Sequence, residues 1–353
     1  MARRNVTLKQ IAQEAGVSTT TVHRVLNGKE GCGEELKARI LAIAEEQGYS
    51  VNVNASTLRK KTIQIAFVFP SENAFSRFFM GNILSGYQQA QETLDLCNVQ
   101  FHEFFYDYDD PDSMVPILRN ICMDDPVHID GIALWGITAS QKIMGMLNRV
   151  RGKGIPLVMI ERAPADPELY DCCVGPDDQL VGAMAGEMLC KLVRRSGKVL
   201  IIDQQLGCPD PSSAACVQML RQLGRTDLEP LLLTLPMQNT ILMEPVQKTL
   251  LENPDIVALY ATSARHTLAS IQAIRSVKYS LESAIGSELF TESREALNDG
   301  TLSAIINKCP HTIGRQALQL LLDRVVKNEV LPRRYQVMPL LVLQSNQIVC
   351  QKY

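Results

Sequence analysis

Four polar side chains near the N-terminus of the 353-residue chain have the spacing of one outward helix face. Apolar residues recur at helical spacing within the segment 18–28, namely Val22, Val25 and Leu26. The opposite face carries Thr19, Thr20, His23 and Arg24. Hydroxyl, imidazole and guanidinium groups hydrogen-bond to phosphates and base edges, and one arginine can make two such bonds to a guanine. These residue types favour recognition of a nucleic acid rather than catalysis of a reaction.

Three short helices are predicted to position that face. The first begins at a capping box formed by Thr7 and ends at Gly16. Ser18 is the expected N-cap of the second helix, which ends at Gly28, and a third apolar face over 34–47 completes the core. Two helices joined by a tight glycine turn are typical of a helix-turn-helix, whose second helix enters the major groove of DNA. A small helical bundle with a solvated polar face is the alternative.

Charge is distributed unevenly along the chain. The formal net charge is −3, yet residues 1–61 hold ten Lys or Arg against six Glu, which gives +4, and the remainder carries −7. A basic head on an acidic body is expected of a DNA-binding domain on a carrier, although a basic segment without function would look the same. The 46% hydrophobic and 21% charged residues exclude a disordered or collagen-like chain.

The segment 7–59 resembles the DNA-binding head of the lactose/galactose repressor (LacI/GalR) family. The matching positions are Thr7, Ile11, Ala12, Ala15, Gly16, Val17, Ser18, Thr21, Val22, Arg24, Val25, Leu26, Asn27, Gly28, Gly48 and Tyr49. The resemblance implies a homodimer that binds a near-palindromic, double-stranded operator. The head residues that it implies as DNA contacts are Thr7, Ser18, Thr19, Thr20, Thr21, His23, Arg24 and Asn27.

The segment 50–62 resembles the hinge helix of the same family. By that resemblance Leu58 is a wedge that enters the minor groove, a known way to kink DNA. The other implied contacts of this segment are Asn52, Ala55 and Arg59. Val51 stands where the family usually has proline, and Ser56 where it usually has arginine. An inert interdomain linker is the alternative.

The rest of the chain alternates between strand-like and helix-like segments. Apolar runs of strand type occur at 63–69, 99–105, 131–134, 157–160, 199–202 and 257–260. Helical periodicity lies between them, at 81–93, 112–122, 140–151, 181–192 and 212–223. The predicted fold class is therefore α/β: an N-terminal all-α helix-turn-helix domain followed by a two-lobed, doubly wound parallel-sheet domain.

This body resembles the type I periplasmic-binding-protein fold that the same family carries behind its head. The implied domains are the head at 1–49, the hinge at 50–62 and an effector-binding body at 63–353. The first lobe is expected over 63–161 and 291–328, and the second over 162–290 and 329–353. The three crossings between the lobes are expected near 161–164, 286–290 and 329–332.

Ligand contacts are expected in the loops beyond the carboxyl ends of the strands. The resemblance implies effector contacts from Asn73, Phe75, Phe78, Arg162, Glu288 and Lys308. Glu161 precedes that arginine where the family often has aspartate. An arginine expected within 212–219 and an Asn-Asp pair expected after Tyr260 are absent. The implied effector is a sugar, polyol or sugar phosphate rather than a simple hexose or pentose.

The motifs of several enzyme classes are absent from the sequence, namely the P-loop, HExxH and GxSxG. We therefore expect no enzyme activity, no cofactor and no metal. Ten cysteines without a CxxC pair, no apolar run of membrane length and no signal peptide predict reduced thiols, a cytoplasmic location and no membrane partner. The prediction is an effector-controlled transcriptional repressor. A transport receptor and an α/β enzyme with an accessory DNA-binding head are the alternatives.

Overall fold

The computed structural model divides the chain into two compact units, Met1–Thr62 and Ile63–Tyr353. It describes residues 8–26, 33–46, 62–71, 77–93, 98–136, 140–204, 210–235 and 242–350. The predicted contacts Thr7, Asn27, Asn52, Ala55, Leu58, Arg59, Asn73 and Phe75 lie outside these residues. They remain predictions.

The described residues of the first unit form three helices. They are α1 (Leu8–Ala15), α2 (Thr19–Leu26) and α3 (Glu34–Glu46). Their buried apolar residues meet in one small core, which consists of Ile11, Ala12, Ala15, Val22, Val25, Ile40 and Ala44. The turn between α1 and α2 needs Gly16, whose φ is +69°. Ser18 caps α2, because the amide of Thr21 donates to the Ser18 hydroxyl at 3.1 Å.

Two six-stranded sheets form the second unit. The strands of the first sheet are β1 (Ile63–Pro70), β2 (Val99–Tyr106), β3 (Gly131–Trp135), β4 (Leu157–Ile160), β5 (Cys172–Pro176) and β11 (Arg334–Val337). Those of the second are β6 (Gly197–Gln204), β7 (Leu228–Leu235), β8 (Ile256–Ala261), β9 (Ser283–Ser287), β10 (Ala304–Asn307) and β12 (Leu340–Val342). The strand orders, β11-β5-β4-β3-β1-β2 and β12-β10-β9-β8-β6-β7, repeat one pattern.

Helices cover the faces of both sheets. They are α4 (Arg77–Thr93), α5 (Met114–Cys122), α6 (Gln141–Gly152), α7 (Asp178–Leu192), α8 (Pro211–Gln222), α9 (Met243–Glu252), α10 (Ala264–Val277), α11 (Thr291–Asn298), α12 (Pro310–Lys327) and α13 (Gln347–Cys350). Two single-turn 3-10 helices lie at Pro111–Ser113 and Pro167–Leu169. Every strand pair is parallel except the antiparallel pair of β10 with β12. The predicted fold class is confirmed.

The chain passes between the two sheets three times: between β5 and α7, between β10 and α12, and between β11 and β12. The predicted crossings near 161–164, 286–290 and 329–332 are therefore wrong, each by one strand. Residues 162–176 belong to the first lobe with β5, 291–307 to the second lobe with β10, and β11 to the first. The three strands next to these crossings were not predicted because they lack a long apolar run: β5 contains glycine and proline, β10 has four residues and β11 begins with a charged residue.

Helices α4 and α12 pack with their backbones in close contact. A Cβ atom on Gly314 would lie 1.9 Å from the carbonyl oxygen of Ile83, and one on Gly86 would lie 1.9 Å from that of His311. Only glycine fits at these two positions, since backbone atoms cannot move aside as a flexible side chain can. Both helices contribute buried residues to the same core of the first lobe.

We expect Gly314→Ala to lower the free energy of unfolding by about 1–3 kcal/mol, because the added methyl group forces α4 and α12 apart. The matched control is Gly145→Ala in α6, where a Cβ atom meets nothing within 4 Å. That change should raise stability by about 0.5–1 kcal/mol through helix propensity. Urea denaturation of the two variants measures both effects, and equal stabilities would contradict the packing argument.

Candidate functional site

Helix α2 presents polar side chains to solvent above an apolar base. Thr19, Thr20 and Arg24 are exposed, whereas Val22 and Val25 are buried against α1 and α3. His23 lies within α2, but its side chain is outside the described residues. Hydroxyl and guanidinium groups therefore lie on the accessible face of α2, and the apolar core of the three helices holds that helix in place.

The start of α2 is held by its own side chains. The hydroxyl groups of Ser18 and Thr21 lie 2.9 Å apart, and Ser18 also accepts from the amide of Thr21. Both hydroxyl groups thus help to fix the N-terminus of the helix. Thr19, Thr20 and Arg24 are the further exposed polar residues of the described part of this helix.

A second polar site lies in the body, where strand ends of the two lobes face each other. Glu161 follows β4, Glu288 follows β9 and Lys308 follows β10. The pKa of Lys308 responds to the carboxylates of both Glu161 and Glu288, so the three side chains are close together. Glu288, Lys308 and the neighbouring Arg162 are predicted effector contacts, and the structure brings them together; their contact with an effector stays a prediction.

Two glycines position Glu161 and Arg162. A Cβ atom on Gly136, after β3, would lie 1.7 Å from the carbonyl oxygen of Arg162, and one on Gly175, in β5, would lie 2.8 Å from that of Glu161. The turn therefore lies directly against the backbone on both sides. Glu161 itself has a φ of +69°, a left-handed conformation that a non-glycine residue adopts at a cost of about 1–2 kcal/mol.

Lys308 is buried among carboxylates from both lobes. Burial disfavours its charged ammonium group, but attraction to Asp210, Asp178, Glu288 and Glu161 outweighs burial and raises the pKa of Lys308. Asp178 and Asp210 are functional candidates that sequence reasoning missed. Asp178 lies just after β5, a strand that was not predicted. Asp210 is the N-cap of the helix that begins at Pro211, and an aspartate at the start of a predicted helix can be recognised from the sequence.

Glu288 is the least compensated carboxylate of this group. Its side chain is 2% exposed, and neither carboxylate oxygen accepts a hydrogen bond of ordinary geometry. Burial raises the pKa of Glu288 to about 8, although Lys308 opposes the shift through its charge and its backbone amide. Burial likewise raises the pKa of Glu161. The cleft therefore contains two carboxyl groups whose ionised forms are disfavoured.

Two further side chains, one from each lobe, lie close together at this site. Tyr108 lies after β2 in the first lobe, and Arg265 lies near the start of α10 in the second. Burial and the charge of Glu161 raise the pKa of Tyr108 to about 12, while Arg265 and Arg162 act in the opposite direction. The phenol is thus close to both arginines. Sequence reasoning missed Tyr108 and Arg265, because neither belongs to a recognisable motif.

Phe78 makes a different contact from the one expected of a ligand-binding residue. Its ring packs on that of Phe290 from the other lobe, with centroids 4.5 Å apart. The cavity beside this pair measures about 570 Å³, and its described lining residues do not include Arg162, Glu288 or Lys308. The structure therefore brings three of the predicted effector contacts together and shows Phe78 in contact with Phe290 of the other lobe, while an effector contact of Phe78 stays a prediction.

Two kinds of site are absent from the residues that the structure describes. No group of three or more His, Cys, Asp or Glu among them has the proximity to hold a metal ion. No described helix combines the length and the apolar character that a membrane span requires.

Comparisons with known proteins agree with this architecture. The model for bacterial regulatory proteins of the lacI family matches residues 7–52, and the model for a periplasmic binding protein domain matches residues 65–329. A putative LacI transcriptional regulator from Bacteroides fragilis superimposes with a TM-score of 0.70 at 18% identity, over 83% of this chain and all of the other. A solute-binding protein from Bacillus halodurans with bound myo-inositol has a TM-score of 0.70 at 16% identity, over 83% of this chain and 99% of that one.

Among curated relatives, the probable repressor ExuR of Bacillus subtilis is 33% identical over 44% of this chain and 43% of its own length. The ribitol operon repressor of Klebsiella aerogenes is 34% identical over 24% of this chain and 32% of its own. The matches thus cover less than half the length of these relatives. With both family models matched in order along the sequence, the chain belongs to the LacI/GalR family, which consists of transcriptional regulators rather than enzymes.

We expect Glu288→Gln to remove one component of the pH dependence of stability. The pKa of this group is about 8 in the folded chain and near 4.5 in the unfolded one, so folding retains a proton between these values. The free energy of unfolding then falls by about 1.4 kcal/mol per pH unit as the pH rises through this window. The Tm of the variant minus that of the native chain should therefore increase as the pH rises from 5 to 8.5.

The matched control for that measurement is Glu295→Gln, an exposed carboxylate on α11. The difference in Tm between this variant and the native chain should stay nearly constant over the same pH range. If the difference between Glu288→Gln and the native chain were also constant, Glu288 would not contribute to the pH dependence of stability.

Proposed function

We propose that the protein is a sequence-specific, DNA-binding transcriptional repressor controlled by a small-molecule effector in the interlobe cleft. The observation that carries this proposal is the three-helix head, in which α2 exposes Thr19, Thr20 and Arg24 above a packed core. The lacI-family match over residues 7–52 and the repressor names of the relatives support it.

In this proposal α2 enters the major groove of a near-palindromic operator, and a homodimer supplies two heads. Thr19, Thr20 and Arg24 read bases, His23 contacts a base or a phosphate, and Ser18 and Thr21 orient the helix. The contacts proposed outside the described residues remain Thr7 and Asn27 in the head, with Asn52, Ala55, Leu58 and Arg59 in the hinge. A DNA-binding role also places the protein in the cytoplasm.

The effector belongs in the cleft that Arg162, Glu288 and Lys308 line. Binding of a sugar or polyol is supported by relatives of this fold, one of which holds myo-inositol and another D-arabinose. A ligand that prefers one arrangement of the lobes changes operator affinity by its difference in affinity for the two arrangements. Asn73, Phe75 and Phe78 are the further proposed effector contacts, and the ring of Phe78 also packs on Phe290 of the other lobe.

A solute receptor for transport is the second candidate. The ribose import binding protein of Escherichia coli is 21% identical over 85% of this chain and 96% of its own length. That match favours ligand binding by the body, which both candidates share. The lacI-family head favours the repressor, and operator binding separates the two.

We expect Arg24→Ala to weaken operator binding by about 1–3 kcal/mol and to relax base choice at one position of each half-site. The control is Arg39→Ala, which removes an equal charge from an exposed position on α3. Selection of a binding site from random duplexes by the full chain, followed by equilibrium binding at fixed salt, measures both. An unchanged sequence preference for Arg24→Ala, or an equal loss for both variants, would contradict the reading role.

We expect Arg162→Ala to abolish the response of operator binding to effector while operator affinity without effector stays unchanged. Its guanidinium lies in the cleft beside Glu161 and Tyr108, so its loss removes a ligand contact and not a head contact. Arg149→Ala, an exposed position on α6, is the control. A normal effector response in Arg162→Ala would remove this residue from the site.

A further inference from the structure

We propose that the cavity between α4 and α11 is a second ligand site, which binds a flat ring compound that carries a hydrogen-bond donor and a hydrogen-bond acceptor at its edge. The site is distinct from the cleft of Arg162, Glu288 and Lys308, none of which is among the described residues that line the cavity. Binding at this site goes beyond the proposed function, and only its effect on operator binding rests on that function.

The cavity lies where the two lobes meet. Phe78 and Asn82 come from α4 of the first lobe, and the other described lining residues, all between 289 and 298, come from the second. The cavity measures about 570 Å³. Small-molecule sites typically measure about 300–1,000 Å³ and often lie between two domains. A compound held in this cavity therefore contacts both lobes.

Two aromatic rings supply a flat apolar surface. The ring of Phe78 packs on that of Phe290, with centroids 4.5 Å apart and planes tilted by 33°. Both residues line the cavity, and Leu289 adds a further apolar side chain. An aromatic ligand can stack on such rings or meet them edge-on, and dispersion favours close contact with the apolar face of a sugar ring as well. These contacts favour a ring compound over a small ion.

Two carboxamide groups at the cavity are oriented by hydrogen bonds of their own. Nδ2 of Asn82 donates to the carbonyl oxygen of Phe78 at 2.6 Å, which leaves Oδ1 as the acceptor of this side chain. Oδ1 of Asn298 accepts from Nε2 of Gln347 at 2.7 Å, which leaves Nδ2 as its donor. Among the described residues, neither Asn82 Oδ1 nor Asn298 Nδ2 has a hydrogen-bond partner. The cavity thus offers one acceptor from the first lobe and one donor from the second.

The remaining polar lining does not select the ligand by charge. Arg294 and Glu295 are neighbours on α11 that carry opposite charges, and both line the cavity. The hydroxyl group of Thr291 can donate or accept. Shape and hydrogen bonding therefore define the ligand class. A heterocycle with an amide-like edge and a sugar or polyol ring with neighbouring hydroxyl groups both offer the donor and the acceptor that the two asparagines require.

A ligand at this site has a regulatory consequence. Because it contacts both lobes, its affinity differs between two arrangements of the lobes, and binding shifts the balance toward the arrangement that it prefers. If operator binding responds to that balance, as the proposed function requires, this ligand and the cleft effector change each other's affinity by the same factor.

The test is isothermal titration of the full chain and of its Arg162→Ala variant, which lacks a cleft contact, with two sets of probes. Uracil, cytosine and nicotinamide are the heterocycles, and myo-inositol, glucose and ribose are the hydroxylated rings. We expect at least one probe to bind with a Kd of about 1 mM or tighter and to bind the Arg162→Ala variant equally well. The set to which that probe belongs identifies the source of the ring. Failure of every probe to bind the Arg162→Ala variant overturns the inference.

Three further variants locate the bound probe. Asn82→Ala and Asn298→Ala should each weaken its binding about tenfold, because each removes one hydrogen bond to the ring. The matched control is Asn148→Ala on α6, an exposed asparagine whose Nδ2 donates to the carbonyl oxygen of Met144 at 3.0 Å, as Asn82 does to Phe78. It should leave the affinity unchanged.

The Tm of each variant shows whether it is folded, and unchanged affinity in both folded cavity variants overturns the inference. Because the titrations contain no DNA, operator binding by the same preparations tests the proposed function separately.

Discussion

The ammonium group of one buried lysine interacts with every carboxylate described in the cleft. Lys308 follows β10, at the point where the chain leaves the second sheet, and it attracts four carboxylates that come from both lobes. Four negative groups confined in one cleft repel each other, and Lys308 together with Arg162 offsets that repulsion. The charge balance of the cleft therefore depends on one cation from each lobe.

Close backbone contacts and left-handed residues position the charged side chains of the cleft. Gly136 and Gly175 allow the chain to pass directly against the turn that holds Glu161 and Arg162. Glu161, Glu288 and Cys309 adopt left-handed conformations, which non-glycine residues rarely do. Such conformations persist where the surrounding structure holds them, and they often mark functional sites. In both lobes the strained residue comes at the carboxyl end of a strand, which is where ligands bind in parallel sheets.

Much of the fold can be predicted from the sequence, because its strongest signals are local. The head follows from capping residues and helical spacing, and β1 or β4 from continuous apolar runs. The lobe boundaries were harder to predict, since β5 is a short segment that ends in Gly175 and Pro176. Its strand character depends on pairing with β4 and β11. Asp178 and Asp210 join Lys308 only through such long-range pairing, so motif matching found Arg162, Glu288 and Lys308 but not the carboxylates around them.

Glu161 and Glu288 occupy corresponding positions in the two sheets, since each directly follows the third strand counted from β11 or β12. One carboxyl group therefore comes from each lobe, and burial raises the pKa of both. Because like charges that lie close together disfavour ionisation, the distance between the lobes and the protonation of these two groups affect each other.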